Sequence, residues 1–340
     1  SLGATDQQIE AAWRDCHVVG LAADVVLARD GKFSASDVAV STGVDVDVVV
    51  AIWRLLGVSV PNVTAPLFSD FDARLTGRLV QFGPVGPNNE LLRVLGSALA
   101  RVAEASVAMY VQTVEPELSA PEVELVVWAR DIAATTATAL ELGNAMGTIF
   151  SHHLRDAITR QRVAQTGVTE PSLFRLAVGF VDLVGFTPLS RKVPPSELLR
   201  VIGNFESRAF EIVTGYDGRV VKHIGDEIMF VALDARSGCL TARALTQAFA
   251  ADDVEPRGGI AFGEVISRYG DYYGAVVNLA SRLVDLAIPH EVLVDSPTTA
   301  AVSPPVAGEG DDLTFLPAGR RLLKGFDEPI EVYSVAGSVT

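Results

Sequence analysis

Two aspartates stand where a carboxylate needs a partner. Asp182 lies inside "FVDLVGFTPLS" (180–190), an otherwise apolar run that reads as a buried strand. An unpaired carboxylate there costs several kcal/mol, so such groups are paired, hydrogen-bonded or metal-bound. Asp226 lies at the Gly225-Asp226 turn of "VVKHIGDEIMF" (220–230), where Val220, Val221, Ile228, Met229 and Phe230 predict the two arms of a hairpin. Two carboxylates facing each other without a cation repel and raise one pKa. A pair of Mg²⁺ or Mn²⁺ ions resolves that conflict, because hard cations take oxygen ligands and bridge phosphates. Taken singly, Asp182 also fits a cap of the turn "LVGFTP", and Asp226 an ordinary turn residue.

The elements that must bring the two together follow from the pattern after Leu173. Strands are predicted over 176–182, 220–224, 228–233 and 259–264, and helices over 196–213 and 240–250. That order is βαββαβ, a ferredoxin-like α+β arrangement with antiparallel pairing and helices on one face. Its first and third strands are neighbours, which places Asp182 near Asp226. A further helix over 276–287 and several C-terminal strands extend the sheet.

The first half reads as all-α. Leu91, Leu95, Leu99, Val102 and Met109 recur at helical spacing, and a second amphipathic run starts after Pro121. Residues 34–58 have a helix-turn-helix outline around Thr42-Gly43. Its would-be reading helix, 46–56, carries Arg54 as its single base, so two packed helices suit the sequence better than a DNA reader. We expect a helical domain over 1–150, a polar linker segment over 151–171, in which a helix continues out of the first domain before a short linker, and a second domain over 172–340. His152-His153 fall at the start of that linker, where a charge change near neutral pH would bear on its shape.

Composition narrows the partners. The chain has 340 residues, 49% hydrophobic and 20% charged, with a net charge of −15. That charge argues against nucleic acid, whose binding runs on clustered Lys and Arg. A small phosphorylated substrate remains compatible, since local cations can reverse the field in one pocket. Cys16 and Cys239 are too far apart for a disulfide framework and fit a reducing cytoplasm. No uninterrupted apolar run approaches about 18 residues, so no transmembrane segment is expected. "SLGATDQQIEAAWRD" at the start does not read as a secretory signal.

"FVDLVGFTPLS", "VKHIGDEIMF" and "YGDYYGAVVNLASRL" together resemble, in order and spacing, the class III nucleotidyl cyclase catalytic domain, over roughly 172–338. The resemblance implies a catalyst that turns a nucleoside triphosphate into a 3′,5′-cyclic nucleotide and pyrophosphate with two divalent metals. By position it implies Asp182, Asp226 and the Leu183 carbonyl as metal ligands. Asn278 and Arg282 would position the ribose and stabilise the transition state; their i, i+4 spacing puts both on one helical face. Lys324, in "RRLLKGFDEPIEVY", would hold the triphosphate, and Lys222 with Asp271 would read the base.

The chemistry of that last pair stands on its own. Adenine offers an acceptor at N1 and a donor at N6, which a lysine and a carboxylate complement. Guanine reverses both edges and would leave buried groups unpaired, so ATP is expected over GTP. The family assembles each site from two catalytic domains, which implies a head-to-tail homodimer. The short "VISRYG" (265–270) leaves little room for the longer dimerisation arm of some members.

The whole chain is similar to the soluble two-domain cyclases of actinobacteria. The helical half is therefore expected to regulate, in response to a small-molecule, lipid or proton effector. Two alternatives carry less. A cyclic-dinucleotide synthase shares a Gly-Asp-Glu turn, but Ile224 stands where that family has glycine, and Asn278 and Arg282 are foreign to it. A DNA-binding regulator with a degenerate cyclase domain does not explain a complete set of polar site residues.

Overall fold

Alternating β-rich runs and amphipathic helices after Leu173 build one eight-stranded sheet, in the order β2-β3-β1-β4-β6-β8-β7 with β5 paired to β4. The structure is a computed structural model and describes residues 3–15, 18, 20–28, 31–81, 89–113, 124–166, 168, 170–249, 254–302 and 313–337. Cys16 and the start of the run after Pro121 lie outside the described residues. By contact density the chain divides into two units, Ser1–His152 and His153–Thr340.

In the second unit the strands are β1 (Leu173–Val184), β2 (Arg219–Ile224), β3 (Glu227–Ala232), β4 (Glu255–Arg268), β5 (Asp271–Tyr273), β6 (Val292–Asp295), β7 (Leu313–Arg321) and β8 (Ile330–Gly337). β1 runs antiparallel to both β3 and β4, and β4 runs parallel to β6. The ferredoxin-like expectation is thus borne out, with first and third strands adjacent. β1 is central, and Ala177, Val178, Phe180 and Val181 are buried along it. Such a two-sided apolar run marks a strand covered on both faces.

Counting helices along the whole chain, α8 (Phe186–Ser190), α9 (Pro195–Gly215), α10 (Ala235–Ala248), α11 (Ala275–Leu286) and α12 (Ser296–Ala301) belong to this unit. α9 and α10 cover one face, packing Phe205, Ala209, Val213, Ala242 and Leu245 against Val181, Ile228 and Phe230. The expectation of helices on one face holds only for these two. α11 covers the other face, where Leu279, Ala280, Leu283 and Val284 meet Val178, Phe180, Met229 and Val231. The reason is that β1 and β3 are apolar on both sides, so neither side can be left to water.

The first unit contains α1 (Asp6–Arg14), α2 (Leu21–Ala28), α3 (Ala35–Thr42), α4 (Val46–Leu55), α5 (Asp70–Gln81) and α6 (Asn89–Thr113). A capping box at Ser34 and Asp37 starts α3, Gly43 ends it at φ 72°, and Asp45 caps α4. These two helices bury Ala35, Val38, Val49 and Trp53 with Phe68, as packed helices do. An apolar cavity of about 450 Å³ lies among α2, α6 and α7 (Leu125–Ala164), lined by Leu27, Leu99, Val102, Tyr110, Ile132 and Met146.

α7 continues past residue 150 to Ala164, as expected of a helix running on out of the first domain, and His152 and His153 are exposed along it. One feature differs from the sequence reading. Glu90–Gln112 within α6, at a mean hydropathy of 1.3, is long and apolar enough to cross a membrane. No spanning segment was expected there, because Glu90, Arg93, Arg101 and Glu104 interrupt the run; composition averaged over the helix outweighs them.

Candidate active site

The end of β1 gathers charge. The register sets Asp182 opposite Glu227 of β3 on one side and Arg257 of β4 on the other. Asp226 immediately precedes Glu227 in the β2–β3 turn, so antiparallel pairing alone brings both aspartates to one end of the sheet. Arg257 donates from Nη2 and Nε to Asp182 Oδ2 at 2.9 and 3.1 Å. Its Nη1 donates to the carbonyls of Asp285 and Ala287 at 3.0 and 3.3 Å, at the C-terminal end of α11. One guanidinium thus neutralises a carboxylate and satisfies helix-end carbonyls that have no partner within the helix.

The remaining carboxylates are undercompensated. Burial raises the pKa of Asp226, and the charge of Asp182 adds to it. Burial pushes Glu227 up to about 7, with Asp182, Asp285 and Asp226 contributing. The Leu183–Pro256 pair is not a hydrogen-bonded one: Pro256 turns its carbonyl the other way, to the His290 N–H at 2.7 Å, so the Leu183 carbonyl faces the β3 side and the turn that carries Asp226. Two carboxylates and such a carbonyl form an all-oxygen donor set in a field short of positive charge, which fits Mg²⁺ or Mn²⁺. Among the described residues no three His, Cys, Asp or Glu side chains converge as a cation site, so the carbonyl would be needed.

A second cluster sits on β2 and β5. Lys222 Nζ donates to Asp271 Oδ2 at 2.6 Å, and the Tyr272 N–H donates to Asp271 Oδ1 at 2.9 Å. Burial pushes Asp271 up, but these donors prevail and hold it below the usual carboxylate range. A β-bulge at Val221 orients the lysine: Val220 pairs with Phe230 while Lys222 pairs with Met229. His223 turns to the opposite face, 3.7 Å from Glu206 of α9.

Asn278 and Arg282 lie on α11, away from its buried Leu279, Leu283 and Val284. Asn278 is exposed, and Arg282 Nη1 pairs with Asp285 Oδ2 at 3.1 Å. The helix sits unusually close to the sheet because Gly259 has no side chain. A Cβ there would lie 2.3 Å from Val284 N and 2.5 Å from Ala280 O. Lys324 is exposed beside Gly325, and the structure does not join it to either cluster.

Sequence reasoning missed Arg257, Glu227 and Asp285. The pair Gly258-Gly259 inside a strand was the available signal, since glycine in a strand interior marks close backbone approach. It points to the place where α11 and Arg257 meet the sheet.

Comparison with known proteins follows the same division. Residues 1–158 match the adenylate cyclase regulatory domain, and residues 169–337 match the adenylate and guanylate cyclase catalytic domain. An adenylate cyclase of Streptomyces coelicolor is 31% identical over 299 residues, covering 80% of this chain and 72% of that one. A pH-sensitive adenylate cyclase of Mycobacterium tuberculosis is 28% identical over 332 residues, covering 94% and 82%. The crystal structure of the adenylyl cyclase CyaB from P. aeruginosa is 25% identical with a TM-score of 0.41, covering 48% of this chain and 94% of that one.

Proposed function

The chain belongs to the adenylate and guanylate cyclase family, and we propose that it converts ATP into 3′,5′-cyclic AMP and pyrophosphate. The observation that carries the choice of nucleotide is the Lys222–Asp271 pair at 2.6 Å. After pairing, the ammonium keeps donors for adenine N1 and the carboxylate keeps lone pairs for the N6 amine. Guanine would set donor against donor and acceptor against acceptor.

Asp182, Asp226 and the Leu183 carbonyl would hold two Mg²⁺ or Mn²⁺ ions. Ions held there would supply Lewis acidity toward the ribose 3′-hydroxyl and positive charge for the triphosphate. Arg257 pairs with Asp182 when no cation is present. Asn278 orients the ribose and Arg282 stabilises charge on the reacting phosphate, with Asp285 holding Arg282 until substrate arrives. Lys324 binds the triphosphate. Most of the rate comes from orientation and charge stabilisation, with no covalent enzyme intermediate.

The site is shared between two chains in a head-to-tail homodimer. Asp182 and Asp226 come from one chain, and Lys222, Asp271, Asn278 and Arg282 from its partner. Exposed Ile224, Ile266 and Tyr273 flank the base-reading pair and support burial of that surface by a second copy. The catalytic domain is taken as 172–340, residues 151–171 as the connection, and 1–150 as the regulatory domain of a cytoplasmic enzyme. The cavity of about 450 Å³ supports a small apolar effector for that domain. The test is cyclic AMP formation by the purified chain with ATP or GTP and Mn²⁺ or Mg²⁺. ATP should be strongly preferred; comparable turnover of GTP would refute the base-reading assignment.

A further inference from the structure

β2 and β5 are not neighbours in the sheet: β3, β1 and β4 lie between them. Two side chains of β2 nevertheless reach the β4–β5 turn. Lys222 holds Asp271, while Arg219 Nη2 donates to the Gly270 carbonyl at 2.8 Å. The Arg219 guanidinium also lies over the Tyr272 ring, 5.4 Å from its centroid. Arg219 therefore grips the residue before Asp271 and the residue after it. The turn itself is a two-residue hairpin loop in which Tyr269 and Gly270 both take left-handed backbone, at φ 52° and 85°.

The bulge at Val221 makes the double reach geometrically available. Residues three apart on a plain strand face opposite sides. Here Arg219 pairs with Val231 and Lys222 with Met229, two residues apart on β3 and both in the core beneath α11. Both cations consequently emerge on the face where Tyr272 is buried.

We propose that Arg219 is a positioning residue for base recognition. It fixes the turn so that the Asp271 carboxylate meets Lys222 and the two present one donor and one acceptor edge together. The guanidinium itself does not touch the nucleotide. This inference rests on the assignment of Lys222 and Asp271 as the base readers.

The experiment measures kcat and KM of the full chain for ATP and for GTP. Arg219→Ala should raise KM for ATP more than it lowers kcat. It should cut the ATP-over-GTP ratio of kcat/KM about tenfold, the scale of one hydrogen bond and one cation–π contact. Arg219→Lys, which keeps a donor, should restore part of that ratio. Asp271→Asn in the same assay tests the underlying assignment. An unmoved ratio in Asp271→Asn overturns base reading by this pair, and the proposal with it. A ratio that falls in Asp271→Asn but stays at wild type in Arg219→Ala overturns the positioning role alone. So does a loss of kcat with KM and ratio unchanged, which a merely structural residue would produce. If thermal melting shows that Arg219→Ala does not stay folded, Arg219→Gln, which keeps most of the stem and loses the charge, carries the same comparison.

Discussion

Glu227 titrates in a neighbourhood of three other acids and one arginine, and this gives the protein a pH dependence of definite sign. Its folded pKa, raised to about 7 from an ordinary 4.5, means that the folded chain binds this proton more tightly than the unfolded chain. The resulting stability is fully present below about pH 4.5 and is lost as pH rises through about 7. Glu227→Gln removes the ionisation. Thermal melting at pH 5 and pH 8, without divalent cations, should therefore show a smaller loss of Tm at the higher pH in the variant than in wild type. Equal losses would mean that Glu227 ionises as freely in the folded chain as in the unfolded one.

At the scale of elements, the closeness of α11 to β4 is what sets Asn278 and Arg282 at a fixed height above the sheet. Gly259→Ala places a methyl group against helix backbone, which cannot yield as a side chain can. The expected cost is about 2 kcal/mol or more, as for other overpacked core positions. It should read out as a lower Tm together with a fall in cyclase activity. An unchanged Tm would show that the helix can lift without penalty.

The same elements explain what was legible from sequence. Asp182 announced itself because an acid in an apolar run is conspicuous, and Asp226 because Gly-Asp between two apolar runs is a hairpin turn. The ferredoxin-like order followed from periodicity alone. Arg257 gave no such sign: its partner is 75 residues away and is reached only through β1–β4 pairing. The run of α7 beyond residue 150 was legible as a helix continuing out of the first domain, and it ends at Ala164, ahead of Pro171. The second helical layer was missed because a two-sided apolar strand and a one-sided one differ only in the residues between the obvious ones.

For the molecule as a whole, the proposed two-chain site makes a prediction that a self-sufficient chain would fail. Asp182→Ala removes a proposed metal ligand, and Asn278→Ala with Arg282→Ala removes the groups proposed to act on the ribose and phosphate. Each variant should be inactive alone. Mixed, with time for subunits to exchange, they should form heterodimers with one doubly broken and one intact site. Random pairing would then restore at most about a quarter of wild-type activity. If exchange is demonstrated by a tag on one variant and the mixture stays dead, the shared-site arrangement is wrong.

The bulge at Val221 has a consequence for how this strand can change length. β2 spends three residues, Val220 to Lys222, where β3 spends two, Phe230 and Met229, so it holds one residue in surplus. Loss of either valine would return a plain ladder with Arg219 still opposite Val231 and Lys222 still opposite Met229. Both cations would keep their face. Loss of His223, one step further on, has no surplus to absorb it and would swing the turn that carries Asp226. Relatives one residue shorter at the Val-Val pair can therefore keep the same site, whereas a gap at any neighbouring position cannot be accommodated so cheaply.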